Sequence, residues 1–133
     1  MKKISQAMLA VTLIVIIIFF SGCSSVRQKT PSEVVEVAYM AANDGKYSEV
    51  KKYMSSELTK ALNSDLGAFM GGLKGAWDQV THNGTIKKIQ IQKEEMRGEG
   101  ADVYFKIYFK DGKIKDDKEE LIKEDKKWKI TIG

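Results

Sequence analysis

The stretch Asp102-Val103-Tyr104-Phe105-Lys106-Ile107-Tyr108-Phe109 decides the fold. Val103, Phe105, Ile107 and Phe109 occupy every second position, and Asp102, Tyr104, Lys106 and Tyr108 occupy those between. A period of two is what a strand with one face on a core and the other in water requires. Working outward, Ile86 to Gln92 predicts a preceding strand with Ile89 and Ile91 on one side. The largely polar run Glu94 to Gly100, with its two glycines, predicts a hairpin connection. Asp111-Gly112 then marks a turn before a third strand at about Ile114 to Lys123, although Asp117 to Ile122 also fits a helix. Glu124-Asp125-Lys126-Lys127 turns the chain again, and Trp128, Ile130 and Ile132 alternate as a last strand. Four strands joined by short turns make an antiparallel meander.

Upstream, the apolar period becomes helical. In Thr30-Pro31-Ser32-Glu33, Thr30 caps a first turn, Pro31 has no amide hydrogen to leave unpaired, and Glu33 completes a capping box. Val34, Val37, Ala38 and Ala41 follow at helical spacing as far as Asn43-Asp44-Gly45, so a first helix is expected over Pro31 to Asn43. Lys46 to Met54 predicts a shorter second helix with Tyr47, Val50, Tyr53 and Met54 on one side. A third, capped by Ser55 or Ser56, carries Leu58, Ala61, Leu62, Leu66, Phe69, Met70, Leu73 and Trp77 on one broad face. Gly67, Gly71, Gly72 and Gly75 weaken it beyond Leu66, either as a hinged mouth over a pocket or as a frayed end leading to the sheet. No Gly-Lys-Ser/Thr ending follows them, which excludes a phosphate loop. Three N-terminal helices packed on a four-stranded antiparallel meander give an α+β fold. Its predicted core is Val34, Ala38, Ala41, Leu58, Leu62, Leu66, Ile89, Ile91, Val103, Phe105, Ile107, Phe109, Trp128 and Ile130.

At the other end, Met1-Lys2-Lys3 precedes an apolar run from Ala7 to Phe20, interrupted only by Thr12, and Ser21-Gly22 stand directly before Cys23. The run is short for a bilayer span and suits an export signal. Residues 1–22 resemble a bacterial lipoprotein signal peptide, whose lipobox reads roughly Leu-(Ala/Ser)-(Gly/Ala)-Cys and stands here as Phe20-Ser21-Gly22-Cys23. That resemblance implies cleavage after Gly22, a diacylglycerol on the Cys23 sulfur and a further acyl chain, such as palmitate, on the new amino group. Two or three chains on one residue give a durable anchor where one does not. Ser24, standing where enterobacterial lipoproteins retained in the inner membrane commonly carry aspartate, is compatible with an outer membrane; a cell membrane stays equally open. Residues 23–29 are then the lipidated cysteine and a short tether whose Arg27 and Lys29 lie near head groups, and residues 30–133 are one domain. The mature chain keeps 20 basic against 18 acidic residues, a balance of +2, because Lys2 and Lys3 leave with the signal. Its lysines and acids are interspersed with no arginine-rich patch, which argues against a nucleic-acid partner. A single cysteine excludes an intrachain disulfide.

The helix entered through Thr30-Pro31-Ser32-Glu33, the passage Ala41-Ala42-Asn43-Asp44-Gly45-Lys46-Tyr47, and the hairpin ending Lys127-Trp128-Lys129-Ile130 occur in an order that resembles the NTF2-like, or cystatin-like, cone. More narrowly, residues 30 to 132 resemble the small bacterial lipoproteins with a DUF4878-type domain. The resemblance implies a sheet curled around a cavity, and no catalytic residue transfers with it. His82, the only histidine, is expected in a solvent-facing loop beside Asn83 and Gly84. Asp102 falls out of phase with the apolar face and is expected in solvent. Asp111, Asp116, Asp117, Glu119, Glu120, Glu124 and Asp125 alternate with lysines in no calcium-loop pattern and read as a charged, solvated hairpin face that protects the sheet edges. No catalytic set, metal site or cofactor is therefore expected. Tyr104, Lys106 and Tyr108 form a candidate surface for a homodimer or an envelope-protein partner, a use that the resemblance implies for the outer sheet face. Tyr53, Phe69, Met70 and Trp77 form a candidate rim for a cavity that takes a small ligand or peptide. The leading expectation is a membrane-anchored, non-enzymatic envelope lipoprotein that binds a protein, peptide or small ligand. The alternatives are a small hydrolase or isomerase using the cavity, and a phage or mobile-element lipoprotein that interferes with a membrane process.

Overall fold

The computed structural model describes residues 27–82 and 84–133. Five helices occur among them, α1 (Pro31–Asn43), α2 (Tyr47–Lys51), α3 (Ser56–Leu62), α4 (Asp65–Phe69) and α5 (Gly72–Thr81). Four strands follow, β1 (Ile86–Arg97), β2 (Gly100–Phe109), β3 (Ile114–Glu124) and β4 (Lys127–Thr131), paired in that order and antiparallel throughout. Among the described residues no helix is long and apolar enough to cross a membrane.

Helix α1 begins and ends as its sequence dictates. The Thr30 hydroxyl accepts from the Glu33 amide at 3.2 Å, while the Glu33 carboxylate turns to the Thr30 hydroxyl and to Arg27. At its other end Gly45 adopts φ 74°, so that the amides of Gly45 and Lys46 bond back to Ala42 and Ala41 at 2.9 and 2.8 Å. The buried stripe is Val34, Val35, Ala38, Tyr39 and Ala42, rotated from the predicted one, and Val37 is left partly exposed. Together these side chains cover the inner face of the sheet, where Val103, Phe105, Ile107, Phe109, Leu121, Trp128 and Ile130 point. The Asn43 carboxamide clasps both backbone groups of Ile86, accepting at 2.8 Å and donating at 3.2 Å, and thereby fixes the start of β1 under the end of α1.

Two features of the expected fold are corrected. The expected third helix is three, giving five and not three among the described residues. Ser64 stops α3 and caps α4 by accepting from the Gly67 amide at 3.1 Å, and Gly71 at φ 91° starts α5 in a new direction. The folded-back segments touch closely: a Cβ added at Gly75 would lie 1.9 Å from the Met70 carbonyl oxygen. Leu66, predicted in the core, therefore stands 69 % exposed. The sheet, moreover, is open and is not closed or curled into a cone. Its β4 edge pairs with the α2–α3 linker instead, since Ile130 donates to the Tyr53 carbonyl at 2.7 Å and accepts from Ser55 at 2.8 Å. What stands is an α+β domain of helices on a four-stranded antiparallel sheet.

Candidate functional site

Leu121 is buried on the inner face, and the period of two carries Glu119 and Asp117 to that same face, opposite Val103 and Phe105 of β2. Glu119 thus points at α1, where the Tyr39 hydroxyl donates to its carboxylate at 2.5 Å. Tyr39 is held by edge-on contacts with Trp77 and Phe105, at centroid distances of 5.1 and 5.0 Å. Burial is the main cause that raises the Glu119 carboxyl to about 7; Asp117 and Glu120 add to it, and the Tyr39 bond opposes it. Burial also drives the Tyr39 phenol well above its ordinary range, with the Glu119 charge contributing.

This pair forms the polar end of a cavity of about 240 Å³ between the helices and the sheet. Apart from Thr131 the remaining wall is apolar, with Ala42, Leu58, Leu62, Leu73, Trp77 and Ile130 among its members. A carboxyl that titrates near neutral pH can donate a hydrogen bond when protonated and accept one, or hold a cation, when ionised. Set in an apolar wall, it suits a guest with one polar group on a hydrocarbon body.

Of the predicted rim residues, Trp77 lines this cavity. Tyr53 opens on a separate groove with Trp128, and Phe69 and Met70 are exposed at the end of α4, at 88 % and 45 %. The outer face of the sheet brings Tyr104, Lys106 and Tyr108 into a row, each already engaged. Tyr104 lies between the Lys93 and Lys118 ammonium groups, Lys106 pairs with Asp116 at 2.9 Å, and the Tyr108 hydroxyl donates to Gln90 at 2.8 Å under Lys88. Asp102 is not solvated: it is 6 % exposed, and Arg97 donates to both its oxygens at 2.7 and 3.0 Å, holding its carboxyl below the usual range. His82 is exposed at the end of α5 in a left-handed conformation, φ 51°. Cys23, the proposed lipid attachment, lies outside the described residues. Tyr39 was not among the sequence candidates, and Glu119, expected with the other acids on a solvated hairpin face, turns instead into the cavity. The available signal was parity along β3, since any residue an even number of steps from Leu121 shares its face.

The family described as Domain of unknown function (DUF4878) matches residues 21–131. No curated protein matches the chain. Among solved structures, a Campylobacter jejuni protein described as an NTF2-like transpeptidase is similar at 17 % identity and a TM-score of 0.58, covering 79 % of this chain and 100 % of that one. A SEC-C motif containing protein from Rhodopseudomonas palustris is similar at 12 % identity and a TM-score of 0.58, covering 77 % of this chain and 76 % of that one. At such identities the likeness is one of fold alone.

Proposed function

The chain belongs to the DUF4878 family, and from that premise we propose that it is a lipid-anchored envelope domain that binds a small, largely apolar ligand without transforming it. The observation that carries this reading is the Tyr39–Glu119 pair set in a largely apolar cavity. A carboxyl half-buried in an apolar wall raises the free energy of the empty protein unless something partners it. Tyr39 satisfies one oxygen, and a guest's hydroxyl, amide or amine supplies the next partner while its hydrocarbon displaces water from Leu58, Leu62 and Leu73. Binding is the reading that the wall supports, because its one polar end is the mutually bonded Tyr39–Glu119 pair and the rest offers chiefly hydrocarbon for a guest's body. Anchoring through Cys23 keeps such a domain beside the membrane, where apolar metabolites concentrate.

The test is mass spectrometry of the full chain isolated from its own host's envelope in a mild detergent, followed by solvent extraction. A small molecule present at near one copy per chain in the parent, and absent from an Ala42→Trp variant that keeps the parent's circular dichroism, supports the reading. A parent that carries no guest, or one retained equally by the filled variant, contradicts it.

A further inference from the structure

A second concavity, on the side of the domain where the tether enters, carries a different chemistry. A groove of about 650 Å³ is lined by three separated stretches of chain: residues 27–29 with Val34, the Lys52-Tyr53 linker, and Lys127-Trp128-Lys129 of β4. Five of its nine lining residues, Arg27, Lys29, Lys52, Lys127 and Lys129, are cationic, and none is acidic. On the outer sheet face Lys93, Lys106 and Lys118 each have a carboxylate partner, while Lys88 lies over the Tyr108 ring without an ion pair among the described residues. In the groove Arg27 pairs with Glu33 and Lys52 with Glu49, whereas Lys29, Lys127 and Lys129 form no ion pair among the described residues. Lys29 instead lies 6.0 Å from the centre of the Tyr53 ring, and Lys129 turns its ammonium to the Lys52 carbonyl.

Position adds to charge. Arg27 stands four positions after Cys23, and four steps of extended chain span at most about 14 Å. If Cys23 carries the lipid, that short span keeps the groove beside the membrane surface, and direct contact brings its cations within the screening length of the head-group charges.

We infer that this groove docks the domain onto anionic phospholipid head groups, so that the anchored protein rests on the bilayer in one orientation. The inference rests on the anchor reading for its proximity and on the unpaired lysines for its chemistry.

Amine-reactive labelling of the full chain tests it, with vesicles of phosphatidylcholine alone and of phosphatidylcholine with phosphatidylglycerol. The expected result is several-fold weaker labelling of Lys29, Lys52, Lys127 and Lys129 on the anionic vesicles. Lys93 and Lys118 should stay unchanged, and the protection should vanish at raised salt and in a Lys127→Glu, Lys129→Glu variant of unaltered circular dichroism. Equal labelling on both vesicles overturns docking, and so does equal protection by inorganic phosphate without vesicles, which would mark a small-anion site. Co-flotation separates the two readings. A chain that floats with both vesicles but labels equally keeps the anchor and loses the docking. One that floats only with the anionic vesicles keeps docking and loses the anchor, and one that floats with neither loses both.

Discussion

Asn43 is the residue on which the seating of α1 depends most locally. Ile86 is 1 % exposed, and the Asn43 side chain partners both its backbone groups in place of a neighbouring strand. Asn43→Ala leaves a buried amide and carbonyl unpaired, and the expected loss is about 1–3 kcal/mol in urea unfolding. Glu119 gives stability a pH dependence of definite sign. The unfolded chain releases this proton near 4.5 and the folded chain near 7, so between these values the native state holds more protons than the unfolded one. Stability contributed by this group is therefore complete below pH 4.5 and declines as pH rises through 7, by roughly 3 kcal/mol in all. Glu119→Gln keeps an acceptor for the Tyr39 hydroxyl and removes the titration. The difference between parent and variant unfolding free energies should shift in the variant's favour across that window. A difference that stays constant with pH would show that Glu119 ionises in the folded chain as it does in water.

At the scale of elements, the β3–β4 hairpin and the α4–α5 junction are where the backbone is most constrained. Asp125 and Lys126 form a two-residue turn with both residues left-handed, φ 50° and 65°, a conformation that Asn, Asp and Gly accept and Lys tolerates poorly. Asp125→Asn with Lys126→Gly should raise stability by about 1 kcal/mol, measured as a higher melting temperature. Gly75→Ala should act in the opposite direction, costing about 1–3 kcal/mol, because its Cβ meets the rigid Met70 carbonyl. These same elements show where the sequence was legible. The bounds of α1 were readable because a cap, a proline and a glycine mark them within the chain itself. Strand β2 was readable because its alternation is uninterrupted. The third predicted helix was misread because Leu58 to Trp77 keeps a helical period across Ser64 and Gly71, and periodicity carries no information about a change of axis. The stripe of α1 was rotated because alanine and valine recur on both sides of it, and only the sheet beneath decides which side is buried. Glu119 was hidden for a similar reason: it lies in a run of acids and lysines, and its partner Tyr39 is 80 residues away.

At the scale of the whole molecule, one chain holds an apolar cavity on the inner side of the sheet and a basic groove where the tether meets the domain. The anchor reading unites them by placing the domain on a membrane. Cells given an alkyne analogue of palmitate should label the parent chain and not a Cys23→Ser variant, and equal labelling of the two would remove Cys23 from the account. The cavity is the central claim, and calorimetric titration of the chain with straight-chain alcohols, from butanol to octanol, tests it most directly. Saturable binding is expected, strengthening roughly fourfold per added methylene until the cavity is full, and weakening at every length in a Glu119→Leu variant. Heats that never saturate for any member of the series, with the folded state intact, would contradict a ligand site between the helices and the sheet.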